Sequence, residues 1–261
     1  MRFTKMEGLG NDYIYLNCLE GTPEDLPALA VRLSDRHFGV GADGLICIKP
    51  GRGGDFAMEM YNADGSQGAM CGNGIRCVGK YVWDRGLTRK ECLTIDTAAG
   101  PRRLELHVAD GAVESVTVDM GPVGTGRPVR LEAAGERFSV VPADAGNPHG
   151  VIFCPDPEGI DLARLGPLLE VHPALGEGRN IEFAACPDRG HIVLRVWERG
   201  SGITLACGTG ACAVFAAALK ENRCGPGVEA RLPGGVLTLD RRGENIFMTG
   251  PARTVFEGEI L

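Results

Sequence analysis

The chain has 261 residues, room for two domains of about 130 each. Hydrophobic residues make up 44% and charged residues 23%, and the formal net charge of −7, with no Lys/Arg run longer than two, argues against a nucleic-acid backbone as partner. No apolar stretch approaches the roughly 20 residues of a membrane span, and Met1–Tyr13 lacks the apolar core of a signal peptide. The expectation is a soluble, cytoplasmic protein with neither a membrane nor a nucleic-acid partner.

Taken in chain order, Phe3–Met6 and Tyr13–Cys18 read as strands around a Gly8–Asp12 turn. An amphipathic helix follows over Glu24–His37, with Leu26, Leu29, Ala30 and Leu33 on one face and Thr22-Pro23 as its start signal. Leu45–Lys49 and Phe56–Tyr61 are short strands, and Ile75, Val78 and Val82 mark a helix after Cys71. Arg103–Val108 and Val113–Asp119 alternate around Asp110-Gly111, a hairpin turn. Gly121–Pro128 is rich in glycine and proline and reads as a linker. Beyond it come a strand at Val151–Cys154, a helix at Leu162–Leu169 and a strand at His191–Trp197. The apolar helix Ala211–Leu219 and a hairpin over Val236–Met248, turning at Arg242-Gly243, complete the series. Strands outnumber helices and hairpins recur, which predicts an α+β fold.

The chain repeats itself. Cys71-Gly72-Asn73-Gly74 returns as Cys207-Gly208-Thr209-Gly210, a step of about half the chain. The same step, from 71 to 207, carries Gly10-Asn11 onto Gly146-Asn147 and Tyr61-Asn62 onto Trp197-Glu198. With a little drift, Ala98–Gly100 matches Pro233–Gly235, and Met120–Pro122 matches Thr249–Pro251. Ordered landmarks at half the chain length predict a tandem duplication. The expected domains are 1–122 and 123–250, pseudo-symmetric and facing one cleft, with a C-terminal strand at about 251–261 returning to the first.

Ten cysteines without a C-x-x-C pair or a standard zinc spacing predict thiols rather than a disulfide framework or a metal site. Most, Cys77 and Cys212 included, read as small core residues. Cys71 and Cys207 differ because each stands where a helix begins. Such an end carries unpaired amides and positive potential, which favours thiolate and binds carboxylates. Two such ends sharing a cleft would hold one carboxylate and set a sulfur on each face of the adjacent carbon. One sulfur removes the α-proton while the other delivers one, and the centre inverts. No Schiff-base lysine, cofactor or metal is called for.

These residues closely resemble one family. Lys5–Tyr13 (KMEGLGNDY), Tyr61–Ser66 (YNADGS), Cys71–Cys77 (CGNGIRC), Gly146–His149 (GNPH), Glu198–Gly202 (ERGSG) and Ala206–Cys212 (ACGTGAC) are similar to diaminopimelate epimerases. The likeness runs from residue 5 to Gly250–Ala252. It implies a mixed, barrel-like sheet around a central helix in each domain, an interdomain active site and a homodimer. It also implies cofactor-free interconversion of LL- and meso-2,6-diaminopimelate, in lysine and peptidoglycan precursor biosynthesis. Carried over, Cys71 is the proton donor and Cys207 the acceptor in the LL-to-meso direction. Gly72, Asn73, Gly208 and Thr209 form the carboxylate cradle, and Asn11, Asn62, Asn147 and Asn180 contact substrate. Glu198 and Arg199 recognise the distal head group, and His149 and Glu198 adjust the thiols. Some members carry Gln where this chain has Gly44; glycine offers no side-chain contact, so Gly44 stays outside the expected site.

Other readings compete. Gly39–Gly44 fits G-x-G-x-x-G, but helix precedes and strand follows it, the reverse of a dinucleotide site. Gly74–Tyr81 falls one residue short of a phosphate loop and lacks its Ser/Thr. Cys71 and Cys207 could be buried structural thiols, or could join reversibly on oxidation. His149 could be a satisfied structural histidine, and Glu198-Arg199 a solvated pair. At the level of function, a racemase of another amino acid, an isomerase of a small carboxylic acid, a thiol-redox or metal protein and a purely structural module are the alternatives.

Overall fold

The computed structural model describes residues 1–260, and its contacts divide them into two units. One comprises Met1–Val118 and the segment from Gly250; the other is Asp119–Thr249. Up to the first boundary the elements are β1 (Arg2–Gly8), β2 (Asn11–Asn17), α1 (Leu26–Ser34), β3 (Gly44–Pro50), β4 (Phe56–Asn62), β5 (Gln67–Gly68), α2 (Gly72–Asp84), β6 (Cys92–Asp96), β7 (Arg102–Ala109) and β8 (Ala112–Pro122). The chain continues with β9 (Gly124–Thr125), β10 (Val129–Ala133), β11 (Glu136–Asp144), β12 (Pro148–Phe153), α3 (Leu162–Glu170), β13 (Asn180–Ala185), β14 (His191–Glu198), β15 (Gly202–Thr204) and α4 (Gly208–Lys220). It closes with β16 (Gly227–Leu232), β17 (Gly235–Arg242), β18 (Asn245–Pro251) and β19 (Arg253–Glu259). The fold is α+β, and no helix among the described residues is long and apolar enough to cross a membrane.

In the first unit β1 pairs antiparallel with β2, β2 parallel with β3, and β3 antiparallel with β4. β4 takes β5 antiparallel and β6 parallel, and β6–β7–β8 is an antiparallel meander. β19 lies antiparallel on the outer side of β1. Helix α2 touches β19, β1 and β2 at one end of this sheet and β7 at the other, so the sheet curls round it. Burial explains the wrapping: Ile75, Val78 and Val82 are wholly out of water, worth about 1.5–3 kcal/mol each. Gly79 permits the close approach, since a Cβ there would lie 2.8 Å from Leu106.

The second unit repeats this plan pairing for pairing. β11–β12 is antiparallel, β12–β13 parallel, β13–β14 antiparallel, β14–β15 antiparallel and β14–β16 parallel, and β16–β17–β18 is again a meander. The helices begin in the same register in both units, α1 at Leu26 with α3 at Leu162, and α2 at Gly72 with α4 at Gly208. α4 packs on β9, β11, β12, β13, β14 and β17, and its all-round apolar sequence is buried accordingly.

Two expected boundaries shift. α1 is shorter than Glu24–His37 because Asp25, not Thr22-Pro23, caps it, accepting from Ala28 N at 3.1 Å. At its other end the Asp35 carboxylate draws the amides of His37 and Phe38, both at 2.7 Å, out of the helical ladder. Gly121–Pro128 is also less irregular than a linker. β8 runs on through Pro122, and Thr125 of β9 pairs with Ala143 of β11.

Candidate active site

Both repeated motifs form helix caps. Cys71 is the N-cap of α2 and Cys207 that of α4, each with extended backbone and each sulfur accepting from the third helical amide, Gly74 N at 3.3 Å and Gly210 N at 3.4 Å. Cysteine thus fills the place usual for serine, threonine or aspartate. The second glycine of each motif is required by its neighbour. A Cβ at Gly74 would lie 2.6 Å from Ile46 Cδ1, and one at Gly210 would lie 2.8 Å from Glu182 Oε1. Gly72 and Asn73, like Gly208 and Thr209, occupy the first turns, where amides lack helical partners.

In the first unit the Cys71 thiol donates to Asn11 Oδ1 at 3.2 Å. Asn11 Nδ2 donates in turn to Asp43 Oδ2 at 2.8 Å, which also accepts the Asp12 amide at 3.1 Å. Arg36 bridges Asp43 and Asp12, at 3.0 and 2.9 Å, and the buried Lys5 reaches Asp12 at 2.7 Å. Burial and the adjacent Asp12 raise the Asp43 carboxyl, whereas hydrogen bonds from Arg36 and Lys5 outweigh burial and lower that of Asp12. Tyr13 touches both Asn11 and Cys71, and burial pushes its hydroxyl well above the ordinary phenol range. Asn62 stands apart from this chain of bonds, its side chain donating to Ser66 Oγ at 3.0 Å inside the turn after β4.

In the second unit Cys207 is fully buried. Its sulfur lies 3.4 Å from Thr209 Oγ1 and 3.9 Å from Asn180 Nδ2, and Glu198 is the charged neighbour that acts on it most strongly. The Glu198 carboxylate accepts from Thr204 Oγ1 at 2.5 Å, and burial raises its pKa. His149 meets Glu182 at 2.6 Å through Nδ1 and Asn147 Oδ1 at 3.0 Å through Nε2, with both His149 and Glu182 wholly buried. Asn180 Oδ1 accepts the Arg199 amide at 2.9 Å. The Arg199 guanidinium, by contrast, donates to Gly178 O, away from Glu198.

The helix terminus alone predicts an acidic thiol, and for Cys207 the structure reverses this. Burial first, then Glu198 and Glu182, push its pKa well above the ordinary thiol value, and the bonds from Thr209 and the Gly210 amide only partly oppose them. Sequence reasoning also passed over Tyr13, Asp43, Glu182 and Thr204. Two carried signals. Glu182 is an acid inside the apolar strand Asn180–Ala185, and Tyr13 falls on His149 under the same step that carries Cys71 onto Cys207.

Comparison with known proteins supplies the class. The family model of diaminopimelate epimerase matches residues 3–125 and 141–255. The chain belongs to the diaminopimelate epimerase family. Members of that family from Acetivibrio thermocellus and Phocaeicola vulgatus are 46% and 44% identical to it, each alignment covering 100% of this chain and 98% of the relative. One from Methanococcus maripaludis is 43% identical over 100% of this chain and 99% of its own. Membership makes the chain an isomerase. Among solved structures, a hydroxyproline epimerase from Agrobacterium vitis matches with a TM-score of 0.72 at 17% identity, covering 99% of this chain and 91% of that one. A PhzF-family phenazine biosynthesis protein from Enterococcus faecalis matches with a TM-score of 0.75 at 14% identity, covering 100% and 98%. At such identities the likeness is one of fold, and diaminopimelate epimerases share that fold with these proteins.

Proposed function

We propose that this chain interconverts LL- and meso-2,6-diaminopimelate without a cofactor, using Cys71 and Cys207 as its acid and base. The observation that carries the reading is the matched pair of cysteine N-caps, one per repeat, in a chain of this family. Inversion takes a proton from one face of the α-carbon and gives one to the other, so it needs two groups in complementary protonation states. In the LL-to-meso direction Cys71 donates and Cys207 accepts; in the reverse direction they exchange roles. Burial and the neighbouring Glu198 hold the proton on Cys207, and the helix terminus with the Thr209 and Gly210 bonds favours its release when Cys207 acts as a base.

The amides of Gly72, Asn73, Gly208 and Thr209 hold the α-carboxylate, and the helix dipoles offset the charge that develops on it as the α-proton leaves. Asn11, Asn62, Asn147 and Asn180 orient the polar groups, and Arg199 receives the distal carboxylate. His149, held between Asn147 and Glu182, tunes the Cys207 side together with Glu198. A cytoplasmic homodimer working in lysine and peptidoglycan precursor biosynthesis belongs to the same reading.

The test is incubation of reduced protein with LL-diaminopimelate in D₂O, following α-deuterium uptake and meso product by NMR. Wild type is expected to do both, and Cys71→Ala and Cys207→Ala are each expected to lose epimerisation by at least about a hundredfold. Full activity in either variant overturns the two-thiol assignment, and an inert wild type overturns the substrate.

A further inference from the structure

Asp43 carries a role that the reaction chemistry does not call for by itself. Three donors converge on its carboxylate: Asn11 Nδ2 at 2.8 Å, the Asp12 amide at 3.1 Å and Arg36 Nη2 at 3.0 Å. An ionised carboxylate only accepts, so the Asn11 amide can meet it only through its NH₂ group. The other end of the amide is then fixed: Oδ1 faces Cys71 Sγ at 3.2 Å. An acceptor oxygen beside sulfur accepts a hydrogen bond from the S–H group and so opposes thiolate; a donor nitrogen in its place would do the reverse. The geometry points to Asp43 as a positioning residue that locks the Asn11 amide in the orientation that keeps the proton on Cys71. The inference rests on the reading of Cys71 as one of the two acid–base thiols, and it states how that thiol is kept loaded.

Asp43 is the carboxylate that receives the Asn11 NH₂ group. Tyr13 and Tyr15 of β2 and Cys77 of α2 are the other titratable groups that feel Cys71, and Asp12, Arg36 and Lys5 stand behind Asp43. Asn11 bonds both to Asp43 and to the sulfur, and Tyr13 touches Asn11 and Cys71 beside it. The second unit has no copy of the arrangement. Arg179 stands at the position matching Asp43, and it donates to the His149 and Leu175 carbonyls instead.

The test compares reduced wild type with Asp43→Asn, whose neutral amide lets Asn11 turn over. Iodoacetamide alkylation of Cys71 and Cys207 is followed across a pH series by peptide mass spectrometry. For Cys71 the pH of half-maximal rate is expected to fall by about one unit, while the Cys207 profile stays in place. The shift is expected to persist in about 0.5 M KCl, where the screening length is about 4 Å. No shift, a shift shared by Cys207, or one that disappears in salt overturns the proposal, the last because it would mark only a lost distant charge.

If the variant does not fold, the unmutated protein still decides. The Asn11 side-chain amide is expected to give a downfield, slowly exchanging ¹⁵N–¹H signal, and exchange as fast as that of an exposed asparagine overturns the proposal. Failure of the underlying reading is distinguishable: an active Cys71→Ala removes Cys71 from the chemistry whatever the alkylation profiles show.

Discussion

The two units share one backbone plan and surround their cysteines with different chemistry. Cys71 is linked through an amide to a charged network that runs from the buried Lys5 through Asp12 out to the more exposed Asp43 and Arg36. Cys207 is sealed from water against Glu198, with Glu182 and His149 buried close by. Position by position, Tyr13, Asp43, Ile46 and Asn62 of the first unit correspond to His149, Arg179, Glu182 and Glu198 of the second. Each exchange alters charge or hydrogen bonding and leaves the strand pairing intact, because strand register depends on apolar alternation and turn geometry rather than on these side chains. Duplication supplied two caps, and substitution beside them made the caps unequal. An enzyme that removes a proton on one side and delivers one on the other has use for that inequality.

The largest expected effect comes from breaking the buried pair that the first unit lacks. Glu182→Ala strips His149 of its partner in a wholly buried place and is expected to cost about 3–5 kcal/mol of stability, read as a fall in thermal midpoint. Writing the first unit's residues into the second, as Glu182→Ile with His149→Tyr, is expected to recover much of that loss. A single variant as stable as wild type would mean that the two environments differ less than the burial implies.

The next effect concerns Gly44, whose counterpart in the second unit is Asn180. A Cβ at Gly44 would lie 2.2 Å from the Tyr61 carbonyl oxygen, so Gly44→Asn, which copies the second unit, forces backbone to move. Chemical denaturation is expected to register a loss of about 1–3 kcal/mol. An unchanged midpoint would show that the β3–β4 pair yields easily.

The smallest effect is electrostatic. Glu198→Gln removes a negative neighbour from Cys207, so the pH of half-maximal Cys207 alkylation is expected to drop by about one unit. The wild-type thiol also predicts a slope in stability. Because the folded state keeps the Cys207 proton after the unfolded chain has lost it, stability is complete below about pH 8.5 and declines as pH rises from there. Cys207→Ala is expected to flatten that decline, and an equal slope in both proteins would contradict the raised thiol.

Much of this molecule could be read before any coordinates. The constant step between the copies, the two cysteine motifs and the helix after each are local, and a repeat survives in sequence because both copies must bury the same helix face. The ends of α1 could not be read as well, since Thr22, Glu24, Asp25 and two prolines compete near its start and the cap is decided by which side chain reaches an amide. The family followed from contiguous motifs. The individual thiols did not.

What the sequence determined by itself, then, is the duplication, the α+β class, the two capped helices and membership of the family, all of which depend on neighbours within a few residues or on a fixed repeat. Only the tertiary structure decided that Cys207 is a reluctant acid and that Asp43 stands behind Asn11. Those facts depend on burial and on charges brought together from Asn11, Asp43 and Cys71, or from His149, Glu182, Glu198 and Cys207. Such groups lie far apart along the chain, and only folding sets them within hydrogen-bonding reach of each other.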